Sequence, residues 1–157
     1  MMRPFRWLLP GTLLIFAGCG HSDLLWTESH NFPSNTWGSD ACVAFEPDTA
    51  SLQKGVASKA LLTIRYAEGA SMRSFPISME IESPSDGYYL CDTIKAQLLP
   101  REARTGDKAT FGIFETTDTI LLNQAPRPGW RMILKPAADD DIIKGLFSIT
   151  LTLLDEK

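Results

Sequence analysis

Acidic side chains form two patterns that could support chemistry. Glu80 and Glu82 are two residues apart in a segment of alternating polarity, so their carboxylates would share one face of a β-strand. Two carboxylates on one face can flank a sugar, as in glycoside hydrolases. Calcium could bind at Asp139, Asp140 and Asp141, but calcium loops take their ligands from alternating positions. We therefore interpret both patterns as solubilising surface charges and rank a hydrolase as the least favoured function.

Common catalytic motifs are missing from the sequence. It contains no Gly-x-Ser-x-Gly elbow, no phosphate-binding glycine loop and no His-Glu-x-x-His. Its two histidines, His21 and His30, lie in a segment that we expect to be a tether, which would not hold them in a fixed geometry. We therefore predict that the protein is not an enzyme and has no catalytic residue, no metal site and no cofactor.

Aromatic side chains are the more informative candidates for binding. On the rim of a β-sandwich they could stack on sugar rings or contact another protein. The alternative is that each of them packs in the core or closes one end of the sandwich. The candidate binding residues are Trp37, Tyr88, Tyr89 and Trp130.

Residues 1–18 have the composition of a secretory signal peptide. Arg3 and Arg6 precede an apolar run that begins at Trp7 and ends at Gly18. This run is shorter than the roughly 20 residues that a membrane-spanning helix needs. A basic segment followed by a short apolar run and small residues is typical of a cleaved export signal.

The end of this segment, Phe16-Ala-Gly-Cys19, resembles the lipobox of bacterial lipoproteins. Small residues at Ala17 and Gly18 would enter the peptidase site, and the Cys19 thiol would carry a diacylglycerol. Two or more acyl chains anchor a protein stably, so we predict attachment to the membrane through Cys19. An ordinary signal with an incidental cysteine is the alternative. Because Gly20 follows Cys19, with no Asp at that position, we predict the outer membrane, on either of its faces.

Two further cysteines, Cys42 and Cys91, would then lie in an oxidising compartment. An even number of cysteines in an exported protein is typical of a disulfide. The bridge would require Cα atoms within about 7 Å of each other, which the sequence alone does not establish. A disulfide and two separate thiols are both consistent with the sequence.

Length and charge exclude several classes of protein. The chain has 157 residues, 15 basic and 19 acidic, and a net charge of −4. That length corresponds to one domain. A surplus of acid disfavours nucleic-acid binding, which requires a basic surface.

Alternating polarity predicts an antiparallel all-β domain, a β-sandwich or jelly roll. The clearest strands are 75–82 and 147–153, and in the first of them Pro76 predicts either the start of a strand or an edge strand. Further strands are predicted at 41–46, 59–66, 88–95, 109–115, 117–122 and 130–135. Short helical turns are predicted within 95–104 and 137–144.

The predicted organisation has three parts. A signal peptide covers 1–18, the lipidated cysteine and a tether cover 19–31, and the sandwich domain covers 32–157. Part of the tether, around Leu24, Leu25 and Trp26, is apolar enough to pair as a first strand.

Several short segments, in their order along the chain, resemble the GldH family of gliding-motility lipoproteins from Bacteroidetes. The matching segments are Phe32 with Trp37, Leu62–Tyr66, Ser74–Ser78, Ser83–Gly87 with Asp92–Ile94, and Lys144–Leu151. The segment 104–116 departs from the family, because it contains no Trp where the family has Gly-x-Trp-x-Gly-x-Gly.

The resemblance implies a non-enzymatic lipoprotein that binds other envelope proteins in a machinery linked to motility and secretion. A glycan-binding surface lipoprotein is the alternative function, and it would present coplanar aromatic side chains on one exposed face. The expected partners are therefore the membrane and other envelope proteins, not nucleic acid.

Overall fold

Strands form where apolar and polar residues alternate, and they make up nearly all of the regular structure. The computed structural model describes residues 23–85, 87–98, 112–137 and 142–155. Its elements are β1 (Asp23–Asn31), β2 (Thr36–Gly38), β3 (Val43–Phe45), α1 (Thr49–Leu52), β4 (Ala57–Ala67), β5 (Ser74–Ser83), β6 (Tyr88–Gln97), β7 (Ile113–Leu121), β8 (Arg131–Pro136), β9 (Ile142–Lys144) and β10 (Leu146–Asp155).

Two four-stranded antiparallel sheets make up the domain. Sheet 1 has the strand order β1-β10-β4-β7, and sheet 2 has the order β3-β8-β5-β6. A short ladder joins β2 to β9. At one side of the molecule Trp26 of β1 meets Phe45 of β3 edge to face, with ring centroids 6.4 Å apart. The sheets therefore pack face to face, which confirms the predicted all-β sandwich.

The core lies between the inner faces of the two sheets. In β5 every second residue is buried, from Phe75 to Ser83. In β10 the inward residues Ile149, Leu151 and Leu153 are fully buried. Burying one side chain of this size contributes about 1.5–3 kcal/mol, so the two alternating strands supply much of the driving force for folding.

Pro76 lies in an interior strand, so the prediction that its strand begins there or lies at an edge was wrong. β5 begins at Ser74 and has β8 and β6 as neighbours. The Pro76 carbonyl accepts a hydrogen bond of 2.9 Å from the Ala137 backbone N–H, and Ala137 lies one residue beyond the end of β8. The missing N–H of Pro76 therefore faces a position where the β8 ladder has already ended.

Strand β1 replaces most of the predicted tether. Residues 23–31, expected to belong to the 19–31 tether, pair with β10 along their whole length. Leu25 is buried against the core. The prediction that the domain begins at residue 32 was therefore wrong, because the domain includes β1. The other expectation, that the segment around Leu24 pairs as a first strand, describes residues 23–31 better.

Other boundaries also differ from the predicted ones. One strand, β7, stands where two were predicted at 109–115 and 117–122. Strand β9 occupies the end of 137–144, where a helical turn was predicted. Helix α1 was not predicted; its N-cap is Asp48, whose carboxylate accepts a hydrogen bond of 2.8 Å from the backbone N–H of Ser51.

Candidate functional site

The edges of β6 and β7 lie side by side and form the candidate site, which we call the β6–β7 side. Among the described strands, β6 has only β5 as a neighbour and β7 has only β4. A cavity of about 420 Å³ lies between the two strands. The residues that line it include Leu90, Asp92 and Ile94 from β6 and Asp118, Thr119 and Ile120 from β7.

Two carboxylates reach this cavity from opposite sheets. Asp92 pairs with the buried Met79, and Asp118 pairs with the buried Leu62, so both stand on the inner faces of their strands. The Asp92 carboxylate accepts a hydrogen bond of 2.7 Å from the backbone N–H of Thr93. The described lining contains no Lys or Arg. The cavity can therefore accept hydrogen bonds from hydroxyl or amine groups and is unsuited to anions.

The outer edge of β6 presents backbone donors and acceptors at alternate residues. The Leu98 N–H donates to the Arg73 carbonyl at 2.6 Å, which identifies the residues that face β5. In an antiparallel ladder the intervening residues turn their N–H and C=O groups the other way. The residues that face away from β5 include Tyr89, Cys91, Thr93 and Lys95.

Ion pairs cover the outer face of sheet 2 beside this edge. The Arg131 guanidinium binds Glu82 at 2.6 Å and reaches Glu46 at 4.0 Å. The Lys135 ammonium lies 3.8 Å from Glu80. The Glu80 carboxylate raises the pKa of the neighbouring Tyr89 hydroxyl, with a smaller effect from the desolvation of that hydroxyl. Glu80 and Glu82 thus pair with cations of β8 on the outer face, beside Tyr89.

Both candidate tryptophans are core residues, so their predicted role in binding was wrong. Trp37 is 1% exposed and Trp130 is 2% exposed. The Trp37 indole N–H donates to the Ala41 carbonyl at 3.0 Å, and its ring lies 5.5 Å from that of Phe32 and 6.4 Å from that of Phe75. The alternative, in which these side chains pack in the core, describes both tryptophans.

The two tyrosines differ in exposure. Tyr88 faces the core and is half-buried, whereas Tyr89 is 60% exposed on the outer face of β6. Strand alternation places them on opposite faces, because they are adjacent residues. Tyr89 is therefore the candidate aromatic residue that is available to a ligand or partner.

Cys42 and Cys91 are separate, exposed thiols, so the possible disulfide between them is not present. Cys42 immediately precedes β3, at one edge of sheet 2, and Cys91 lies in β6, at the opposite edge. Three strand spacings of about 4.8 Å put these edges about 14 Å apart. That separation exceeds the span of a disulfide.

Several predicted residues lie outside the described part of the chain. They are the signal segment 1–18, Cys19, His21 and Asp139–Asp141. The other histidine, His30, is in β1, where its ring meets that of Phe32 edge to face at 5.1 Å. Within the described ranges, no group of three or more His, Cys, Asp or Glu side chains could hold a metal ion. No helix among the described residues is both long and apolar enough to cross a membrane.

Sequence analysis missed a hydroxyl-rich outer face on sheet 1. One row crosses all four strands through Ser29, Thr150, Thr63 and Thr117. The Ser29 and Thr150 hydroxyls are 2.7 Å apart, and those of Thr63 and Thr117 are 3.0 Å apart. The signal was present as alternating Ser and Thr in β1, β7 and β10, but only the register shows that these residues and Thr63 of β4 form one row.

Comparisons with known proteins yield distant likenesses. No family model matches the chain. No curated protein matches it at a significant level. A carbohydrate-binding module specific for non-crystalline cellulose, CBM28, is 11% identical, with a TM-score of 0.43, over 83% of this chain and 73% of the module. The Eiger TNF protein of S. frugiperda is 10% identical, with a TM-score of 0.35, over 78% of this chain and 91% of that one.

Proposed function

We propose that this protein is a lipid-anchored, non-enzymatic component of the cell envelope that works by binding other envelope proteins. The observation that carries the proposal is the outer edge of β6, where backbone groups and the exposed Tyr89 side chain are presented together. An extended segment of another protein can add to such an edge as a further strand. Its backbone would supply affinity, and alternate side chains would supply specificity.

Anchoring through Cys19 would leave this edge accessible. Strand β1 begins at Asp23, so the connection from Cys19 spans at most about 14 Å. β1 is an edge strand of sheet 1, and β7 is the opposite edge. Three strand spacings, or about 14 Å, separate the anchored edge from the β6–β7 side. The β6–β7 side would therefore stand away from the point of attachment.

The resemblance to gliding-motility lipoproteins supports the proposed class of function. The matching segments lie in connected parts of the sandwich: Leu62–Tyr66 in β4, Ser74–Ser78 in β5, Asp92–Ile94 in β6 and Lys144–Leu151 across β9 and β10. One of these segments, in β6, belongs to the proposed contact edge. A role in an envelope machinery linked to motility or secretion follows from that resemblance.

The contact edge can be tested by removing one outward-facing backbone donor. Thr93→Pro deletes an N–H that faces away from β5 and that donates to the Asp92 carboxylate at 2.7 Å in the single chain. The β5–β6 ladder keeps its own hydrogen bonds. Asn31→Pro is the matched control, because it makes the same change at the outer edge of β1. We expect Thr93→Pro to lose partners cross-linked to the tagged protein in native membranes, and Asn31→Pro to retain them. Equal capture by both variants would contradict the proposal.

Anchoring has a separate test. Cys19→Ser removes the thiol that would carry the lipid, so we expect the variant to leave the membrane fraction of the native host. Mass spectrometry of the wild-type protein should find a diacylglycerol on Cys19. A variant that stays in the membrane fraction, or an unmodified wild-type chain, would refute the anchor.

Glycan binding remains the second candidate, and the hydroxyl row of sheet 1 is the observation that favours it. Thr63→Val with Thr150→Val would remove two hydroxyls and keep side chains that suit a strand. We expect this double variant to lose retention on a polysaccharide column if the face binds glycans. Ser78→Ala, on the outer face of sheet 2, is the control. Trp130→Ala is unsuitable, since Trp130 is buried.

A further inference from the structure

We propose that β6 pairs with β6 of a second copy of the chain, antiparallel, around a two-fold axis at Thr93. Pairing would join the two copies of sheet 2 into one eight-stranded sheet. The inference rests on the proposed function, because it names a second copy of the chain as the envelope protein that adds to the same edge. Any other protein that binds this edge would have to displace that copy. The partner is a second copy because the edge is complementary to itself in backbone, charge and apolar contacts.

Backbone complementarity follows from the alternation along β6. The outward-facing residues of β6 have odd numbers. A two-fold axis that passes through a residue, and not between two residues, places odd-numbered residues of one copy opposite odd-numbered residues of the other. An axis at Thr93 places Thr93 opposite itself, Cys91 opposite Lys95 and Tyr89 opposite Gln97. The Thr93 N–H donates to the Asp92 carboxylate in the single chain, and in the dimer it would donate instead to the Thr93 carbonyl of the other copy. Since β6 runs from Tyr88 to Gln97, this register uses nearly the whole strand.

Charge distinguishes this register from the adjacent one. An axis at Asp92 would also use most of the strand, but it would place the two Asp92 carboxylates opposite each other, which is destabilising. An axis at Thr93 places Asp92 opposite Ile94 and Leu90 opposite Ala96. The two Asp92 side chains are then diagonal neighbours, about 7–8 Å apart, and no longer directly opposite each other. Leu90 and Ile94 are only partly buried in the single chain, so pairing would remove more of their surface from water.

The two ends of β6 carry opposite charges on the outer face. Glu80 and Glu82 stand beside Cys91 and Tyr89, near the beginning of the strand, and Lys95 stands near its end. The two-fold axis brings Lys95 of one copy opposite Cys91 of the other, one strand away from Glu80. Glu80 lies 3.8 Å from the Lys135 ammonium in the single chain, so Lys95 of the other copy would join this ion pair as a second cation. Each dimer would contain this attraction twice.

Sedimentation of the purified full chain carrying Cys19→Ser, in the presence of a reductant, tests the proposal. We expect a dimer, and we expect Thr93→Pro to weaken it by at least about tenfold, because both copies lose a hydrogen-bond donor at the axis. Asn31→Pro should dimerise as the parent does. A monomer at concentrations up to roughly 100 µM, or a dimer that Thr93→Pro leaves unchanged, would overturn the inference.

Charge variants test the register without altering the backbone, and they remain informative if Thr93→Pro does not fold. Lys95→Glu should weaken the dimer, because it would bring a carboxylate of one copy toward Glu80 of the other. Thr93→Cys, with Cys42→Ser and Cys91→Ser, should form a disulfide-linked dimer on oxidation, because opposite residues in a hydrogen-bonded pair have Cα atoms about 5.5 Å apart. Failure of Thr93→Cys to cross-link a dimeric protein would reject this axis.

Failure of the dimer and failure of the proposed function give different results. A monomer that still captures envelope proteins in native membranes would reject the self-pairing alone. A dimer that captures none of them would reject the proposed function and leave the self-pairing in place.

Discussion

Replacing Trp37 should destabilise the fold severely, and the equivalent change at Tyr89 should not. The Trp37 indole is 1% exposed and contacts the rings of Phe32 and Phe75. Removal of a buried tryptophan costs about 3–5 kcal/mol through lost contacts and the remaining cavity. Trp37→Ala also deletes the donor that binds the Ala41 carbonyl at 3.0 Å, a loss of about 1 kcal/mol.

Urea unfolding followed by circular dichroism gives the measurement, with the full chain carrying Cys19→Ser as the parent. Because small domains unfold with about 5–15 kcal/mol, Trp37→Ala should remain folded only marginally or not at all. Trp37→Phe keeps an aromatic ring and should lose less. Tyr89→Ala should stay within about 0.5 kcal/mol of the parent, because the Tyr89 side chain is mostly exposed.

A Trp37→Ala variant as stable as Tyr89→Ala would refute the placement of Trp37 in the core. The pair of variants also affects the interpretation of binding experiments. Loss of partners by Trp37→Ala would report unfolding, whereas loss by Tyr89→Ala would report a contact on β6. Tyr89 is therefore the aromatic residue to change when partners are sought.

Three further predictions follow from single positions. Gly145→Ala should lower the free energy of unfolding by more than about 1 kcal/mol, which thermal melting can measure. The φ of Gly145 is +86°, and an added Cβ would lie 2.7 Å from the Ala70 Cα. A reductant should leave the melting temperature unchanged, since Cys42 and Cys91 are not bridged, and alkylation of the folded protein should modify both thiols. Hydrogen bonds from the first turn of α1 lower the pKa of Asp48 from its ordinary value of 3.8, so this carboxylate stabilises the fold above that pH. The melting-temperature difference between wild type and Asp48→Ala should therefore be full at pH 7 and should shrink as the pH falls below about 4.

Each of these predictions has a clear contrary result. A Gly145→Ala variant that melts like wild type would show that the backbone there tolerates a side chain. A protein that loses stability on reduction would indicate a bridge. A melting-temperature difference for Asp48→Ala that grows with acidification would reverse the expected sign.

Long strands were predictable because each has one face in the core and one in water. The 75–82 and 147–153 segments fall inside β5 and β10, and 59–66 falls inside β4. The three-residue strands β2 and β9 carry too few alternations to produce a pattern. They exist because the buried Trp37 pairs with the buried Ile143, a contact between residues far apart in the chain.

Candidate site residues were harder to predict, because residue type does not reveal which strand lies at an edge. Trp37 and Trp130 had the same chemistry as exposed binding residues, and only packing distinguishes them. Tyr88 and Tyr89 are neighbours in the chain, and strand alternation places one toward the core and the other toward solvent.

The alternation of apolar and polar residues by itself determined that this chain forms antiparallel sheets with one dry and one wet face. That pattern is local, because successive side chains of a strand point to opposite faces whatever the rest of the fold is. Strand order was decided by the tertiary structure alone: it made β6 an edge, separated Cys42 from Cys91 and aligned Ser29, Thr150, Thr63 and Thr117 in one row. Strand order depends on contacts between residues that are distant in sequence. The burial of apolar side chains between the two sheets selects these contacts, and no local pattern of residues encodes them.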